Sequence, residues 1–396
     1  MENSTIQDIV LNVKKPVVFR NLEIPWKCFN QSFNEWLGHL HDAHPVLPFE
    51  CAPLQNGTRP QWERTRTKVE MTTKDFCRNA TAHQGHFKDG WASYSYRTVQ
   101  ELPEQCRDGI NFGMFGFPEI GEDVSFWLSS SGANTPCHYD TYGCNVVVQV
   151  YGRKSWLLFP PGAKLRCSRV PYEESSVYCE ENFYSPSTYS SVIAVENDAY
   201  HVILEPGMVL IVPPKWWHYV ETLDCSLNFN TWLSLETDID EHISECLTRL
   251  IVQDYSKHLP FSSRRHVFNP NELTGLEVPS SSELQSTLQY LLNHQSSNKR
   301  QRLKTGGYPS DYLCQTELDR LLEKWRDFVV PVDKLSNHDF FHIMKTNSRR
   351  FVPSCDRSSD EDEENAIAAH AINLSCHPGL IQLAKVSLVE QNVSER

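Results

Sequence analysis

The chain has 396 residues, of which 40% are hydrophobic, 11% aromatic and 22% charged. That length allows two or three domains, and the aromatic content excludes a chain that is disordered throughout. The 37 Lys and Arg residues stand against 50 Asp and Glu residues, a formal net charge of −13. This charge makes a nucleic acid an unlikely partner, because phosphate contacts need clustered cations.

Thirteen cysteines are scattered without a CxxC pair, a pattern typical of reduced intracellular thiols rather than of a disulfide framework. Residues 1–10 lack the pattern of a secretory signal, and the longest apolar runs, such as 208–214, have the length of a strand rather than of a membrane span. We therefore predict a soluble protein with no membrane partner. Its predicted location is the cytoplasm, with the nucleus as the alternative.

The N-terminal part predicts a strand and a helix. Residues 14–21 form a short apolar run before a loop, which is typical of a buried strand. In 31–40 the apolar side chains are spaced by three, one and three residues, as on one face of a helix. They are Phe33, Trp36, Leu37 and Leu40.

From residue 126 onward, short apolar runs are separated by Gly and Pro. The runs 145–150 and 155–159 flank a Tyr-Gly-Arg-Lys turn and are predicted to pair as a hairpin. Further strands are predicted at 208–212 and 226–233. Short strands closed by tight turns indicate a small antiparallel barrel or sandwich.

After residue 237 the apolar spacing becomes helical, with stripes over 239–251, 284–292 and 318–328. The acidic run 356–364 is predicted to be a disordered linker. A last weakly amphipathic stretch, 366–389, is predicted to form a small helix that docks on a partner.

We predict four segments along the chain. They are an N-terminal mixed α/β flank (1–87), a barrel core (88–250), a helical C-terminal region (251–350) and an acidic linker with a short helix (351–396). The Tyr- and Glu-rich insert 171–191 is either a substrate-facing lid or a solvated excursion. The basic run 299–304 is either a nuclear-import or polyanion patch or a solvated linker.

Three residues form a candidate metal site. His138 and Asp140 are two positions apart, so on a strand both side chains point to the same face. His218 follows an apolar strand and two tryptophans. Two imidazoles and one carboxylate on one side of a metal leave the opposite side open, an arrangement that suits non-haem Fe(II) oxygenases. The alternative is that both histidines are ordinary core residues.

Several motifs surround these residues in order. They are TPCHYD at 135–140, Asn145, Gln149, Gly152, Lys154, Trp156, FPP at 159–161, PGMVLIVP at 206–213, WWH at 216–218 and NTW at 230–232. Over 14–240, and most closely over 126–233, the chain resembles the JmjC-type 2-oxoglutarate oxygenases of the cupin group. Details such as YGCN and GRKSWLLFPP are most similar to members that associate with a small heat-shock protein. Next in similarity is the asparaginyl hydroxylase of hypoxia-inducible factor.

The resemblance implies a mainly β fold, a double-stranded β-helix or jelly roll with flanking helices and a helical C-terminal region. It implies that His138, Asp140 and His218 are both the catalytic residues and the iron ligands. The implied cofactors are Fe(II) and the cosubstrates 2-oxoglutarate and O2. In that chemistry 2-oxoglutarate becomes succinate and CO2 while a substrate C–H bond is oxidised.

The resemblance also implies cosubstrate contacts. Lys154 matches the lysine that holds the distal carboxylate of 2-oxoglutarate, and Thr135 matches the hydroxyl beside it. A cation and a hydroxyl on neighbouring strands would form a carboxylate clamp, although Lys154 could instead cap a hairpin with its ammonium in water. Asn145 and Asn230 match positions near the cosubstrate. The segment between Asp140 and Asn145 is one residue longer than in the asparaginyl hydroxylase, and this leaves the two asparagine roles open.

Three functions follow from the resemblance. The first is a dioxygenase that hydroxylates a protein side chain, with a small heat-shock protein as one candidate substrate. The second is a partner-binding protein that restrains a small heat-shock protein and uses the barrel as a scaffold. The third is a histone or other protein lysine demethylase. The helical C-terminal third is predicted to be either the partner contact or a homodimer interface.

Overall fold

The structure is a computed structural model. It describes residues 1–82, 90–120, 123–169, 176–257, 280–298, 313–355 and 370–394. The predictions for the basic run 299–304 and the acidic run 356–364 lie outside the described residues, as does the first part of the insert 171–191.

Fifteen strands lie within the described ranges, and they pair antiparallel to one another. In chain order they are β1 Val17–Phe19, β2 Val46–Pro53, β3 Thr67–Thr72, β4 Gly90–Thr98, β5 Ser125–Ser129, β6 Asn134–Asp140, β7 Cys144–Tyr151, β8 Lys154–Phe159, β9 Cys167–Arg169, β10 Ser176–Cys179, β11 Tyr200–Leu204, β12 Val209–Val212, β13 Trp217–Thr222, β14 Ser226–Leu233 and β15 Val329–Pro331. The larger sheet has the order β15-β1-β12-β7-β14-β5-β4-β2-β3. The smaller sheet has the order β11-β8-β13-β6-β10-β9.

The main α-helices of the same ranges surround these sheets. They are α1 Asn3–Asn12, α2 Phe33–Ala43, α3 Thr73–Ala82, α4 Glu104–Arg107, α5 Asp238–Ser256, α6 Ser281–Asn298, α7 Gln315–Lys324, α8 Asn337–Asn347 and α9 Pro378–Ser394. A further helical turn covers 370–375. None of the helices in the described part of the chain is long and apolar enough to cross a membrane.

Local sequence explains where the predicted helix in 31–40 begins. The Ser32 hydroxyl accepts from the Glu35 backbone N–H, and the Glu35 carboxylate accepts from the Ser32 N–H, which is a complete capping box. The predicted side chains Trp36, Leu37 and Leu40 are buried. They belong to the core between the N-terminal helices and the outer face of the larger sheet.

Alternation along the strands divides the interior into layers. On β7 and β12, Val146, Val148, Val209 and Ile211 join the core under the N-terminal helices. Their neighbours Val147 and Leu210 instead contact Trp156, Leu158 and Val220 of the smaller sheet. The two sheets therefore face each other across a common interior, and the predicted jelly-roll architecture is confirmed.

The predicted hairpin of 145–150 with 155–159 is wrong. β7 pairs with β12 and β14 in the larger sheet, whereas β8 pairs with β11 and β13 in the smaller one. The Tyr-Gly-Arg-Lys segment therefore carries the chain from one sheet to the other. Gly152 makes this corner possible, since its φ is +62° and a Cβ there would lie 2.2 Å from the Cys225 carbonyl oxygen.

The C-terminal part adds to the barrel as well as covering it. β15 pairs with β1 at the edge of the larger sheet. Arg350, which follows α8, forms a two-point ion pair with Glu221 of β13, at 2.5 and 3.0 Å. The Arg350 guanidinium also lies over the ring of Tyr184, 4.4 Å from its centroid. The predicted segment boundaries after 87, 250 and 350 stay a prediction.

The stretch 366–389 is helical where it is described, with a break before Pro378. Ile372 and Cys376 pack on Val252 of α5, so one side of this stretch docks on the chain's own helix. Leu380 and Leu383 on α9 remain 52% and 67% exposed. The outer side of α9 is therefore exposed, and its docking on a partner stays a prediction.

Candidate metal centre

Two strands of the smaller sheet carry the three candidate metal ligands. His138 and Asp140 lie on β6, and the strand register places His138 opposite His218 of β13. Tyr139 and Trp217, their neighbours in sequence, pack on the outer face of the sheet. Because side chains alternate along a strand, all three ligands point into the barrel.

The ligand atoms converge. One atom from each of His138, Asp140 and His218 lies within 4.8 Å of the other two. The His138 Nε2 to Asp140 Oδ1 distance is 3.8 Å, and the His218 Nε2 to Asp140 Oδ2 distance is 4.0 Å. The side chain of His218 is only 3% exposed, whereas those of His138 and Asp140 are 12% and 16% exposed. The cluster is therefore reached by solvent from the β6 side.

Backbone carbonyls orient both imidazoles. The Nδ1 atom of His138 lies 2.9 Å from the Pro136 carbonyl oxygen, and that of His218 lies 2.9 Å from the Trp216 carbonyl oxygen. Since a carbonyl oxygen can only accept, each Nδ1 carries the proton and each Nε2 lone pair is free for a metal. Burial, and then the neighbouring His218 imidazole, lowers the pKa of His138 below its usual value. The neutral ring that a metal needs is thereby favoured.

Rings and an indole N–H hold the three ligands in place. The ring of Tyr178 stacks on His138, and that of Trp156 stacks on His218. Trp232 donates its Nε1–H to Asp140 Oδ2 at 3.0 Å. This hydrogen bond places Trp232 directly against a candidate metal ligand. The alternation of Asn230 and Trp232 along one strand face was the signal available in the sequence.

Thr135 reaches the ligand face through an irregularity in β6. It is three positions before His138, which in a regular strand would put the two side chains on opposite faces. The pairing shifts, however, between His218 opposite His138 and Val220 opposite Thr135, so β6 carries one extra residue there. This bulge turns Thr135 toward the interior beside Val220. The sequence contained no clear signal for it.

Lys154 begins β8 and points into the same interior. Its register partners are Thr222 of β13 and Leu204 of β11. β13 lies between the strands of Lys154 and Thr135, so the expectation that these two residues sit on neighbouring strands is wrong. Thr222 is four positions from His218, roughly 13 Å along the strand. The long lysine side chain spans part of that separation.

The Lys154 ammonium is buried without a counter-charge. The residue is 5% exposed, and within the described residues no carboxylate forms an ion pair with it. The ammonium lies over the ring of Trp127, 5.9 Å from its centroid. Burial lowers the pKa of Lys154 from 10.5 to about 7. An isolated buried cation is costly, so the site favours a bound anion.

Asn145 and Asn230 meet on neighbouring strands of the larger sheet. Asn230 donates its Nδ2–H to Asn145 Oδ1 at 3.0 Å, and Trp127 donates its Nε1–H to Asn230 Oδ1 at 2.7 Å. Both asparagines are buried. The two residues are therefore part of one hydrogen-bonded chain that ends at the ring beside Lys154.

These residues fit a metal with an anionic cosubstrate. Two imidazoles and one carboxylate suit Fe(II), and the buried Lys154 ammonium suits a carboxylate some distance away. The Nε1–H of Trp156, on the same face of β8, is buried and has no hydrogen-bond partner among the described residues. A bound polar molecule would satisfy it.

The sequence is similar to a known domain family and to several characterised proteins. The family model for the cupin-like domain matches residues 3–238. HSPB1-associated protein 1 of Bos taurus is 34% identical over 67% of this chain and 58% of its own length. The Homo sapiens protein of that name is 33% identical over 67% of this chain and 57% of its own length. The chain thus spans little more than half the length of these relatives.

Two further similarities are more distant. Lysine-specific demethylase JMJ30 of Arabidopsis thaliana is 32% identical over 34% of this chain and 32% of its own length. A solved structure of ycfD from E. coli is 15% identical, covers 72% of this chain and 65% of its own, and has a TM-score of 0.34.

Proposed function

The chain belongs to the cupin-like domain family that includes the JmjC proteins, and we propose that it is an Fe(II)- and 2-oxoglutarate-dependent dioxygenase. The proposed reaction is hydroxylation of a protein side chain. The observation that carries this proposal is the convergence of His138, Asp140 and His218 in a barrel whose interior also buries the ammonium of Lys154, for which the described residues offer no carboxylate partner.

When bound, Fe(II) and 2-oxoglutarate would supply the oxidising chemistry, in which O2 hydroxylates a C–H bond while 2-oxoglutarate becomes succinate and CO2. The chain's own residues would bind the metal and the cosubstrate and orient them. Trp232 holds Asp140 through its indole N–H. Lys154 would pair with the distal carboxylate of the cosubstrate, and the Thr135 hydroxyl would donate to the same group. Burial makes that ion pair strong, because water does not compete for it.

The Asn145–Asn230 pair would line the cosubstrate pocket rather than bind the metal. Each amide already uses part of its hydrogen-bonding capacity in the contact between them. Asn230 also accepts from the indole N–H of Trp127, whose ring lies beside the Lys154 ammonium. We expect their replacement to weaken cosubstrate binding more than metal binding.

The metal site is tested by anaerobic titration of the Fe(II)-loaded protein with 2-oxoglutarate, following the weak metal-to-ligand absorption band in the visible. We expect a band in the wild type and none in His138→Ala. The matched control is His201→Ala, since His201 lies on β11 and bonds to Ser155 instead. Absence of the band in the wild type would refute the dioxygenase proposal.

The cosubstrate clamp is tested in the same titration with Lys154→Ala. We expect the Fe(II) content to be retained while the affinity for 2-oxoglutarate falls by about 100-fold, the usual result of losing one partner of a buried ion pair. Lys164→Ala is the matched control, because Lys164 is exposed. Unchanged affinity in Lys154→Ala would contradict the assigned role.

The named relatives support lysine demethylation as a further alternative. Hydroxylation of an N-methyl group gives a product that releases formaldehyde, so the same centre could serve both reactions. Succinate and formaldehyde should be measured together on matched methylated and unmethylated histone peptides. Succinate release coupled to formaldehyde would favour demethylation, and a peptide mass gain of one oxygen would favour hydroxylation.

A different class of function is partner binding, in which the protein associates with and restrains a small heat-shock protein. Two similar proteins, from Bos taurus and Homo sapiens, are both called HSPB1-associated protein 1, which supports this function. The outward side chains of Leu374, Leu380 and Leu383 offer an apolar surface, since they are 56%, 52% and 67% exposed. Binding to purified HSPB1 that survives in His138→Ala and fails in Leu383→Glu would favour this scaffold function over catalysis.

Location and oligomeric state are also proposals. All thirteen cysteines are free thiols, which supports a reducing compartment such as the cytoplasm. The exposed side of α9 supports a homodimer through the C-terminal helices. Light scattering of the purified chain would test the dimer, and fractionation of cells that express it would test the location.

A further inference from the structure

Strand β4 holds an aromatic residue on a backbone conformation that ordinarily favours glycine. Ser95 pairs with Trp127 of β5, and the next register pair is Arg97 with Phe126, so Tyr96 is the extra residue of a β-bulge. The φ angle of Tyr96 is +57°, which is strained for a side chain of this size. Its ring is 50% exposed, so core packing does not explain why it is held there.

The Tyr96 ring lies against two tryptophans that lead to the metal centre. Its centroid is 5.7 Å from that of Trp127 and 6.0 Å from that of Trp232. Trp232 donates to Asp140, and Trp127 donates to Asn230. We call Tyr96, Trp127 and Trp232 the aromatic shelf. It connects the solvent-exposed Tyr96, through Trp232, to the candidate metal ligand Asp140.

The chemistry of the shelf favours a neutral, apolar ligand group. Both indole N–H groups already donate inward, so the rings offer mainly carbon surface to a molecule that approaches from solvent. The Lys154 ammonium lies 5.9 Å from the centroid of Trp127. When Lys154 is protonated, a second cation on that ring would be opposed by like charge, which disfavours a lysine or arginine side chain.

We propose that the aromatic shelf is a substrate subsite that binds an apolar side chain of the protein substrate, next to the residue that is oxidised. This inference rests on the proposed dioxygenase function, because that function supplies the reacting centre. The bulge at Tyr96 aims the ring at the incoming chain, as bulges beside functional sites do. Tyr96 thereby becomes a residue that determines specificity.

The subsite is tested by saturation-transfer NMR on the metal-free full chain, so no catalytic activity is required. The probes are the capped peptides Ac-Gly-Gly-Xaa-Gly-Gly-NH2 with leucine, lysine or glutamate at Xaa. We expect the leucine probe to bind with about millimolar affinity and the two charged probes to bind more weakly. Equal binding of the lysine or glutamate probe would overturn the assignment of an apolar subsite.

Two substitutions of Tyr96 distinguish the effect of the ring on binding from the effect of the strained backbone. Tyr96→Phe keeps the ring, and we expect it to bind the leucine probe as the wild type does. Tyr96→Gly removes the ring and also relieves the strain, so its thermal stability should not fall while its affinity drops by about fivefold. Unchanged affinity in a folded Tyr96→Gly protein would overturn the proposal.

A second readout places the probe relative to the metal centre. Mn(II) bound at the triad should speed the relaxation of the leucine probe's protons in the wild type and not in His138→Ala. The leucine probe could bind selectively, and in a way that depends on Tyr96, without showing this Mn(II) effect. That result would support the apolar site but refute the metal-dependent function beside it. The Mn(II) effect without dependence on Tyr96 would support the metal centre and overturn the shelf.

Discussion

Replacement of Lys154 by methionine should make the protein more stable and remove a specific pH dependence. Methionine has a similar length and no charge, so it fills the same buried space without the desolvation cost. Burial lowers the pKa of Lys154 from 10.5 to about 7. A shift of that size corresponds to roughly 5 kcal/mol at about 1.4 kcal/mol per pKa unit, as an upper bound.

The direction in which stability changes with pH depends on the number of protons bound in the folded and unfolded states. Between the lowered folded pKa of Lys154 and its ordinary value of 10.5, the unfolded chain keeps the lysine protonated while the folded chain does not. The unfolded state then binds more protons, so stability rises with pH across this window. From about pH 7.5 to about pH 9.5, Lys154 should add roughly 2 kcal/mol to the free energy of unfolding.

The assay is urea unfolding of the wild type and Lys154→Met at both pH values, without cosubstrate. Burial also raises the pKa of several cysteine thiols, among them Cys28, Cys106 and Cys144, but these contribute equally to both proteins. The difference between the two proteins therefore isolates Lys154. A difference that stays constant with pH would refute the reasoning, and a change of opposite sign would mean that a carboxylate pairs with the ammonium.

Three further substitutions have expected outcomes. Arg350→Ala should cost about 3 kcal/mol in urea unfolding, because it leaves a buried carboxylate unpaired, whereas the exposed neighbour Arg349→Ala should cost less than about 0.5 kcal/mol. Trp232→Phe removes the donor to a metal ligand and should weaken Fe(II) binding by about tenfold in equilibrium dialysis, with Trp325→Phe as a neutral control. Gly152→Ala should lower the stability by more than about 2 kcal/mol in thermal unfolding, because its Cβ would meet a backbone carbonyl at 2.2 Å.

The Arg350 ion pair connects two parts of the chain that the sequence treats as separate. The cupin-like match ends at residue 238, yet Arg350 reaches back to Glu221, three positions after His218 on β13. The Tyr219 hydroxyl donates to the same carboxylate. The segment after α8 therefore packs against and stabilises β13, the strand that carries His218.

Local patterns were sufficient for much of the fold. The helix containing Trp36, Leu37 and Leu40 and the strand 226–233 follow from apolar spacing and local capping, and the structure has both. The hairpin at 145–159 was wrong because strand pairing is a long-range property. The alternation of apolar side chains in 145–150 and in 155–159 is compatible with a place in either sheet. The sharp turn at Gly152 and the other strands available for pairing decide which sheet each run joins.

The candidate site divides in the same way. By itself the sequence determined which ligands share a face, since His138 and Asp140 are two positions apart on a strand, and the family motifs indicated His218 and Lys154. Only the tertiary structure decided the bulge that turns Thr135 inward, the burial of Lys154 without a carboxylate partner among the described residues, and the strained Tyr96. Residue spacing is local and can be read along the chain, whereas burial, register shifts and ion pairing depend on which distant segments pack together.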